Sequence, residues 1–416
     1  MAGKRHTALW LGGLTASVIA STAQAAPRDA RVLDAATAAR AGQLDLLKQV
    51  VDIDSGTGDA EGAAKVEAIL IPRLQALGAS VRKVPAEAPH LGDNVVATLD
   101  GTGKGRILMI GHIDTVFPAG TVKTWSFHTD NLKAYGPGVS DEKGGVIEGL
   151  TALTLLHELK FTDFGRITFL IETSEEQGSP GTRKLIDTLV RQNDVELNLE
   201  PGDAPDAITV WRKGSTTYTV TVHGKAAHAG VAPQDGRNAA VELIHQLSVV
   251  DSLPHSGDGL TANLTVLKAG ERVNIIPDLA TGEVNVRVRT ADQLKMVQDA
   301  LEAQAKTTIV PDTKVEVTST PAFPPLPENP ATNALAARAK TIYAGLARPL
   351  EMSGNGGASE SALAFAAGTP ALDGLGPVGG GFHSTREFLD LRTVTPRLYL
   401  LTELLMQLGR TPPPRP

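Results

Sequence analysis

Residues 106–116 read RILMIGHIDTV. The apolar run 106–110 reads as a strand that stops at Gly111, which leaves His112 and Asp114 just beyond a strand's carboxyl end. Open α/β sheets place their ligands there. Helical periodicity runs through 44–51, 63–77 and 146–159, and a second apolar strand spans 167–171. Strands that alternate with helices predict an α/β fold with a largely parallel sheet covered on both faces.

From Ser215 the pattern changes. Residues 217–223 alternate as TYTVTVH, a helix-like stretch covers 238–250, and 260–267 and 282–288 alternate again. A helix over 291–305 and a strand over 314–318 complete a β-α-β-β-α-β order, which predicts a small α+β ferredoxin-like unit inserted in the larger one. The Pro-rich stretch 321–330 marks the return crossing, and TPPPRP reads as a frayed tail. The expected division is 26–213 and 321–416 for the main domain and 214–320 for the insert.

At the N-terminus, Lys4 and Arg5 precede an apolar run at 8–20, and Ala23-Gln24-Ala25 offers small residues for cleavage. Residues 1–25 therefore read as a secretory signal peptide, although an uncleaved anchor would look similar. That run is shorter than the roughly 20 apolar residues of a membrane span, and no later stretch reaches that length. An exported protein is expected, periplasmic or secreted, with no membrane span once mature. Loss of Lys4 and Arg5 takes the net charge from −7 to −9, a poor balance for binding nucleic acid. With no cysteine in the chain, packing and bound ions must do the work of disulfides in an oxidising compartment.

Five segments carry chemistry: GHIDTV (111–116), GVSDEKGG (138–145), ETSEEQGS (172–179), LNLEPG (197–202) and GFHS (381–384). Each brings a His, Asp or Glu, the donors Zn²⁺ takes where thiolate is absent. His112 can offer one ring nitrogen to a metal while Asp114 accepts the proton of the other; a surface loop with an Asx turn fits the same letters. Asp141, before Gly144-Gly145, could bridge two cations with one oxygen each. Two ions about 3.5 to 4 Å apart can polarise a carbonyl and draw hydroxide from water. A plain helix start with Asp141 or Glu142 near the positive dipole end is the alternative. In the Glu175-Glu176 pair, one carboxylate can bind metal while the other moves a proton, or both can belong to a charged turn. Glu200, taken alone, is an ordinary strand terminus.

GHIDTV, GPGVSDEKGG, the Glu175-Glu176 pair, LEPG, RKG, GKAAHAG, VNIIP and GFHS occur in this order along essentially all of 26–416. Together they resemble the di-zinc metallopeptidases that include glutamate carboxypeptidase, acetylornithine deacetylase, succinyl-diaminopimelate desuccinylase and aminoacylase, with glutamate carboxypeptidase as the nearest label. The resemblance implies a catalytic domain, an inserted dimerisation lid and two Zn²⁺ per chain. His112, Asp141 and Glu200 would hold one ion and Glu176, Asp141 and His383 the other, with Asp141 as the bridge. Asp114 would support His112, Glu175 would be the general base, and a cis peptide would fall at Asp141–Glu142. By the same resemblance His228, in HAG, crosses a homodimer interface to stabilise the oxyanion in the partner's site. Asn274 and Arg287 would hold the substrate's carboxylate, a task suited to a guanidinium fork. Without the resemblance, His228 is a turn residue and Arg287 a solvated strand residue. His6, His90, His128, His157, His223, His245 and His255 fit no ligand motif.

The implied activity is that of an exported zinc exopeptidase. It would hydrolyse the amide bond to an amino acid with a free α-carboxylate, using a metal-bridging hydroxide and Glu175. The substrate would be a peptide or an N-acyl amino acid, with an N-acyl-amino-acid deacylase or a dipeptidase as alternatives. An inactive zinc- or peptide-binding relative is the non-enzyme alternative; the free carboxylate of Glu175 argues against it, because a binder needs no base. Two departures stand out. The family's Gly-Gly-x-Asp-Ala stretch reads Gly356-Gly357-Ala358-Ser359-Glu360-Ser361-Ala362, with Ser359 or Glu360 in place of the acid. Ahead of Pro321-Ala322-Phe323 stand Ser319 and Thr320, where selectivity for glutamate would call for a cation.

Overall fold

The structure, a computed structural model, describes residues 28–414. The expected signal peptide lies outside the described residues. Among them, a six-stranded sheet runs in the order Ser80–Val84, Asn94–Asp100, Arg166–Glu172, Arg106–His112, Val195–Asn198, Ala371–Leu372. The last four strands are mutually parallel and the first two join in antiparallel fashion, so the sheet is mixed and mostly parallel. The strand Arg106–His112 shows why its run is apolar throughout. Ile107 and Met109 enter one core with residues of the helices Ala30–Val51, Lys143–Glu158 and Val394–Arg410, whereas Leu108 and Ile110 enter another with Ile186, Leu189 and Val190. Both faces are covered, so neither can be polar.

The helix Ala30–Val51 is longer than the predicted 44–51. Its first turns are alanine-rich and fully bury only Val32 and Ala36 in the core, with Leu33, Ala35 and Ala39 half-buried against it. So thin an apolar stripe gives a weak periodic signal, and a cap on Asp29, which accepts the Arg31 N–H, starts the helix instead.

The predicted β-α-β-β-α-β order is present as a four-stranded antiparallel sheet, Thr261–Ala269, Leu279–Val288, Gly214–His223, Lys314–Phe323, with the helices Ala239–Leu247 and Ala291–Gln304. Strand alternation divides its residues between two faces. Tyr218, Val220, Val222, Val284, Val286 and Val288 form a second core with Leu243, Leu247, Val297 and Leu301. The intervening Ser215, Thr217, Asn285 and Arg287 line a cleft against the main sheet. The last strand runs beyond the predicted 318 to Phe323, because a register shift at Ser215/Thr216 keeps it paired past Pro321. The helix predicted to reach 250 ends at Leu247 and tightens into the 3-10 turn Ser248–Ser252. No helix among the described residues is long and apolar enough to cross a membrane.

Candidate metal centre

His112 closes its strand and is fully buried. Its Nδ1 lies 3.0 Å from the Asp114 carbonyl and 3.4 Å from Asp114 Oδ1. Donation from Nδ1–H to that carbonyl leaves the Nε2 lone pair free. The Asp114 carboxylate is engaged elsewhere: it accepts from Thr57 Oγ1 at 2.6 Å and from the Glu175 and Glu176 N–H groups at 3.1 and 3.3 Å. Asp114 therefore also fixes the turn Glu175–Gln177 that carries both glutamates.

Around His112 Nε2 stand Asp141 Oδ1 at 3.3 Å, Glu200 Oε1 at 3.5 Å, Glu142 Oε2 at 3.6 Å and Glu175 Oε2 at 3.8 Å. Nε2 is nonetheless buried without a hydrogen-bond partner. On the far side of Asp141, His383 Nε2 lies 3.4 Å from Oδ2 and 3.2 Å from Glu176 Oε2. Asp141 thus turns one oxygen to each histidine. The donors fall into two groups, His112 with Glu175 and Glu200, and Asp141 with Glu176 and His383. The Asp141–Glu142 peptide is cis, as the resemblance implied. Glu387 holds the Asp141 loop by accepting the N–H groups of Gly138, Ser140 and Asp141 at 3.3, 3.0 and 3.1 Å.

The electrostatics describe a pocket short of positive charge. Burial pushes Glu175 and Glu142 well above the usual carboxylate range, Glu200 to about 7 and Glu176 upward. Burial opposes the charge on Asp141 too, but His112 and His383, when protonated, outweigh it and hold Asp141 below its usual value. Carboxylates gathered this closely, with an orphaned imidazole nitrogen among them, fit divalent cations bound through N and O donors.

A layer beneath the cluster was only partly legible. Asn198 Oδ1 accepts the Glu200 N–H at 3.0 Å, and its Nδ2 donates to Glu360 Oε2 at 2.9 Å. Glu360, the acid of the departing stretch, is buried there and also accepts from Ser179 Oγ at 3.3 Å. The cleft therefore meets Gly357 and Ala358 instead of an acid. Asn198, Arg212, Asp373 and Glu387 were not singled out. Asn198 sits inside LNLEPG, Arg212 inside RKG and Glu387 four residues beyond His383; Asp373 carries no motif.

A cleft of about 510 Å³ opens onto Asp141, Glu175, Glu176, Glu200, His383 and Arg287. Arg287 Nε donates to Asn285 Oδ1 at 3.1 Å, and burial lowers its pKa against the pull of Glu175. His228 and Asn274 are not brought to this cleft within the chain. Both are exposed: His228 pairs with Ile275 in the short ladder between Ala227–His228 and Ile275–Ile276, and Asn274 lies just before it, its carbonyl accepting the Ala229 N–H at 2.9 Å.

A family model described as Peptidase family M20/M25/M40 matches residues 108–407. Carboxypeptidase G2 of Pseudomonas sp. (strain RS-16) is 34% identical over 399 residues, which cover 95% of this chain and 96% of that one. A succinyl-diaminopimelate desuccinylase of Methylorubrum extorquens (strain PA1) is 28% identical over 370 residues, 83% of this chain and 93% of that one. Among solved structures, a tripeptidase from Staphylococcus aureus subsp. aureus mu50 shares the fold, with a TM-score of 0.73 at 24% identity over 89% of this chain and 99% of that chain. The chain belongs to peptidase family M20/M25/M40, as an enzyme of the metallopeptidase class.

Proposed function

We propose that this chain is an exported, zinc-dependent exopeptidase that releases an amino acid bearing a free α-carboxylate. The observation that carries the reading is the posture of Asp141, with Oδ1 toward His112 and Oδ2 toward His383, in one cleft with the guanidinium of Arg287. His112, Asp141 and Glu200 would hold one Zn²⁺, and Glu176, Asp141 and His383 the other. Bound there, the ions would polarise the scissile carbonyl and acidify water. Glu175, on the turn fixed by Asp114, takes the water's proton and passes it to the leaving nitrogen. Arg287, braced by Asn285, receives the α-carboxylate.

Arg212 is the other guanidinium lining the cleft among the described residues, and it is already paired with Asp373 and Glu200. A carboxylate on the released residue's side chain gains no cation of its own. That argues for an uncharged side chain over glutamate.

His228 Nδ1 accepts the N–H groups of Gly230 and Val231, both at 3.1 Å, which puts the proton on Nε2 of an exposed ring. We place that donor, with Asn274, in the site of a partner subunit, in a homodimer built through residues 214–320. A second cleft of about 490 Å³ adjoins Glu176 and Gln177 and has Val116, Phe117 and Pro118 in its wall. These residues form one apolar side of a cleft that Thr57, Asp59 and Thr115 make polar elsewhere; that side could take an acyl group, which supports the second reading, an N-acyl-amino-acid deacylase.

Zinc-loaded protein should be assayed against N-acyl amino acids and dipeptides, each with a free and an amidated C-terminus. Cleavage confined to free carboxylates is expected. Equal turnover of the amides would remove Arg287 from its role, and silence across the panel with metals bound would sink the exopeptidase reading. Fusion of residues 1–25 to a reporter enzyme, followed by fractionation, tests export.

A further inference from the structure

Arg212 ends the strand Ala207–Arg212 and is buried despite its charge. A guanidinium tolerates such a place only when its donors are met. Nε and Nη2 form a fork on Asp373 at 2.7 and 2.6 Å, and Nη2 also reaches Glu200 Oε2 at 3.4 Å. Asp373 is itself fully buried and accepts a bond from Ser359 Oγ. The backbone is pinned as well, since the N–H and C=O of Arg212 pair with Leu326 at 2.9 and 3.1 Å where the chain returns from the inserted sheet. Neither end of this side chain is free to wander.

The two oxygens of Glu200 are consequently unequal. Oε1 lies 3.5 Å from His112 Nε2, whereas Oε2 faces the guanidinium. No hydrogen bond from Arg212 among the described residues reaches Glu176 or His383, so its influence falls on one side of Asp141 only.

We propose that Arg212 is a positioning residue that acts through Glu200: the Asp373-anchored guanidinium holds Oε2, so that Glu200 offers Oε1 alone to a cation beside His112. This rests on the two-metal reading above. Hydrogen-bond partners of metal ligands typically change metal affinity by about 10 to 100 fold, and here the change should be confined to one ion.

The test is Zn²⁺ affinity of the full chain, measured without substrate by competition with a chromophoric chelator. Arg212→Lys keeps a charge but loses the fork. One of two ions should weaken by about tenfold or more, with the other within about twofold. Ser359→Ala, which loosens Asp373 but leaves Arg212 in place, should weaken the same ion to a lesser degree, and it keeps the test available if Arg212→Lys does not fold. In a Glu200→Ala background, Arg212→Lys should change nothing further. Wild-type affinity for both ions in both variants would overturn the proposal. Equal weakening of both ions would do the same, since a general loss of fold gives that result. A wild-type chain that does not bind two ions would overturn the two-metal reading, and this proposal with it.

Discussion

Replacing Glu175 with Gln separates two roles for one carboxylate. Glu175 Oε2 lies 3.8 Å from His112 Nε2 and Asp141 Oδ1 lies 3.3 Å away, so either could complete the donor group of His112 and Glu200. Asp141 is nearer and also faces His383, which leaves Glu175 free to move protons. The amide has the same shape, and the turn stays in place because the Glu175 N–H donates to Asp114 Oδ1 at 3.1 Å whatever the side chain. Two ions should therefore remain bound and KM should shift little. The kcat should fall by about 10² to 10⁴, or about 2.7 to 5.5 kcal/mol of activation free energy, toward the upper end if one group serves both proton transfers as proposed. Steady-state hydrolysis and elemental analysis on the same sample provide the assay. Loss of one zinc along with turnover would make Glu175 a ligand and refute the division of roles. Near-normal kcat at full occupancy would remove it from the mechanism.

Asp141→Ala should release both ions on dialysis, whereas Glu200→Ala and His383→Ala should each weaken chiefly one; two zincs retained by the Asp141 variant would overturn the bridge. In the proposed homodimer, His228→Ala and Glu175→Gln chains should each be nearly inactive alone, yet mixing should restore roughly a quarter of wild-type activity, since about half the dimers would be mixed and each would then have one complete site. Demonstrated subunit exchange without recovery would count against action in trans. Glu148 is fully buried with both carboxylate oxygens unpartnered, and burial raises its pKa well above 4.5 despite Arg397. For an acid raised in this way stability is highest below pH 4.5, where both states are protonated, and falls as the pH rises through the gap between unfolded and folded values. Glu148→Gln should therefore gain on wild type as the pH rises above 4.5, by at most about 1.4 kcal/mol per pH unit; a wild-type-to-variant stability difference that does not change with pH would show that Glu148 does not titrate this way.

Much of the fold was legible because burial writes itself into local pattern. The run 106–110 is apolar at every position since both sheet faces are covered, and 217–223 alternates since only one face of the inserted sheet meets helices. The candidate donors were legible for a different reason: each sits within a few residues of a strand end or a glycine turn. The helix over Ala30–Val51 was underestimated because most of its first half buries little that is apolar.

The motifs, in their order along the chain, carry the resemblance that names His112, Asp141, Glu175, Glu176, Glu200 and His383 as candidates; donor type and strand-end position, which are local properties, made only some of them candidates on their own. Their division of labour is not local. Which oxygen of Asp141 faces which histidine, and that Glu387 holds the Asp141 loop from 246 positions away, depends on how distant segments meet. The same holds for the fork between Arg212 and Asp373, 161 positions apart. Hydrogen bonds are short-ranged and directional, so partners brought together only by the packing of separate strands leave no trace in the spacing of either one. The exposed place of His228 and Asn274 likewise comes from a meeting of distant segments, the separate short ladder in which His228 pairs with Ile275, apart from the four-stranded inserted sheet.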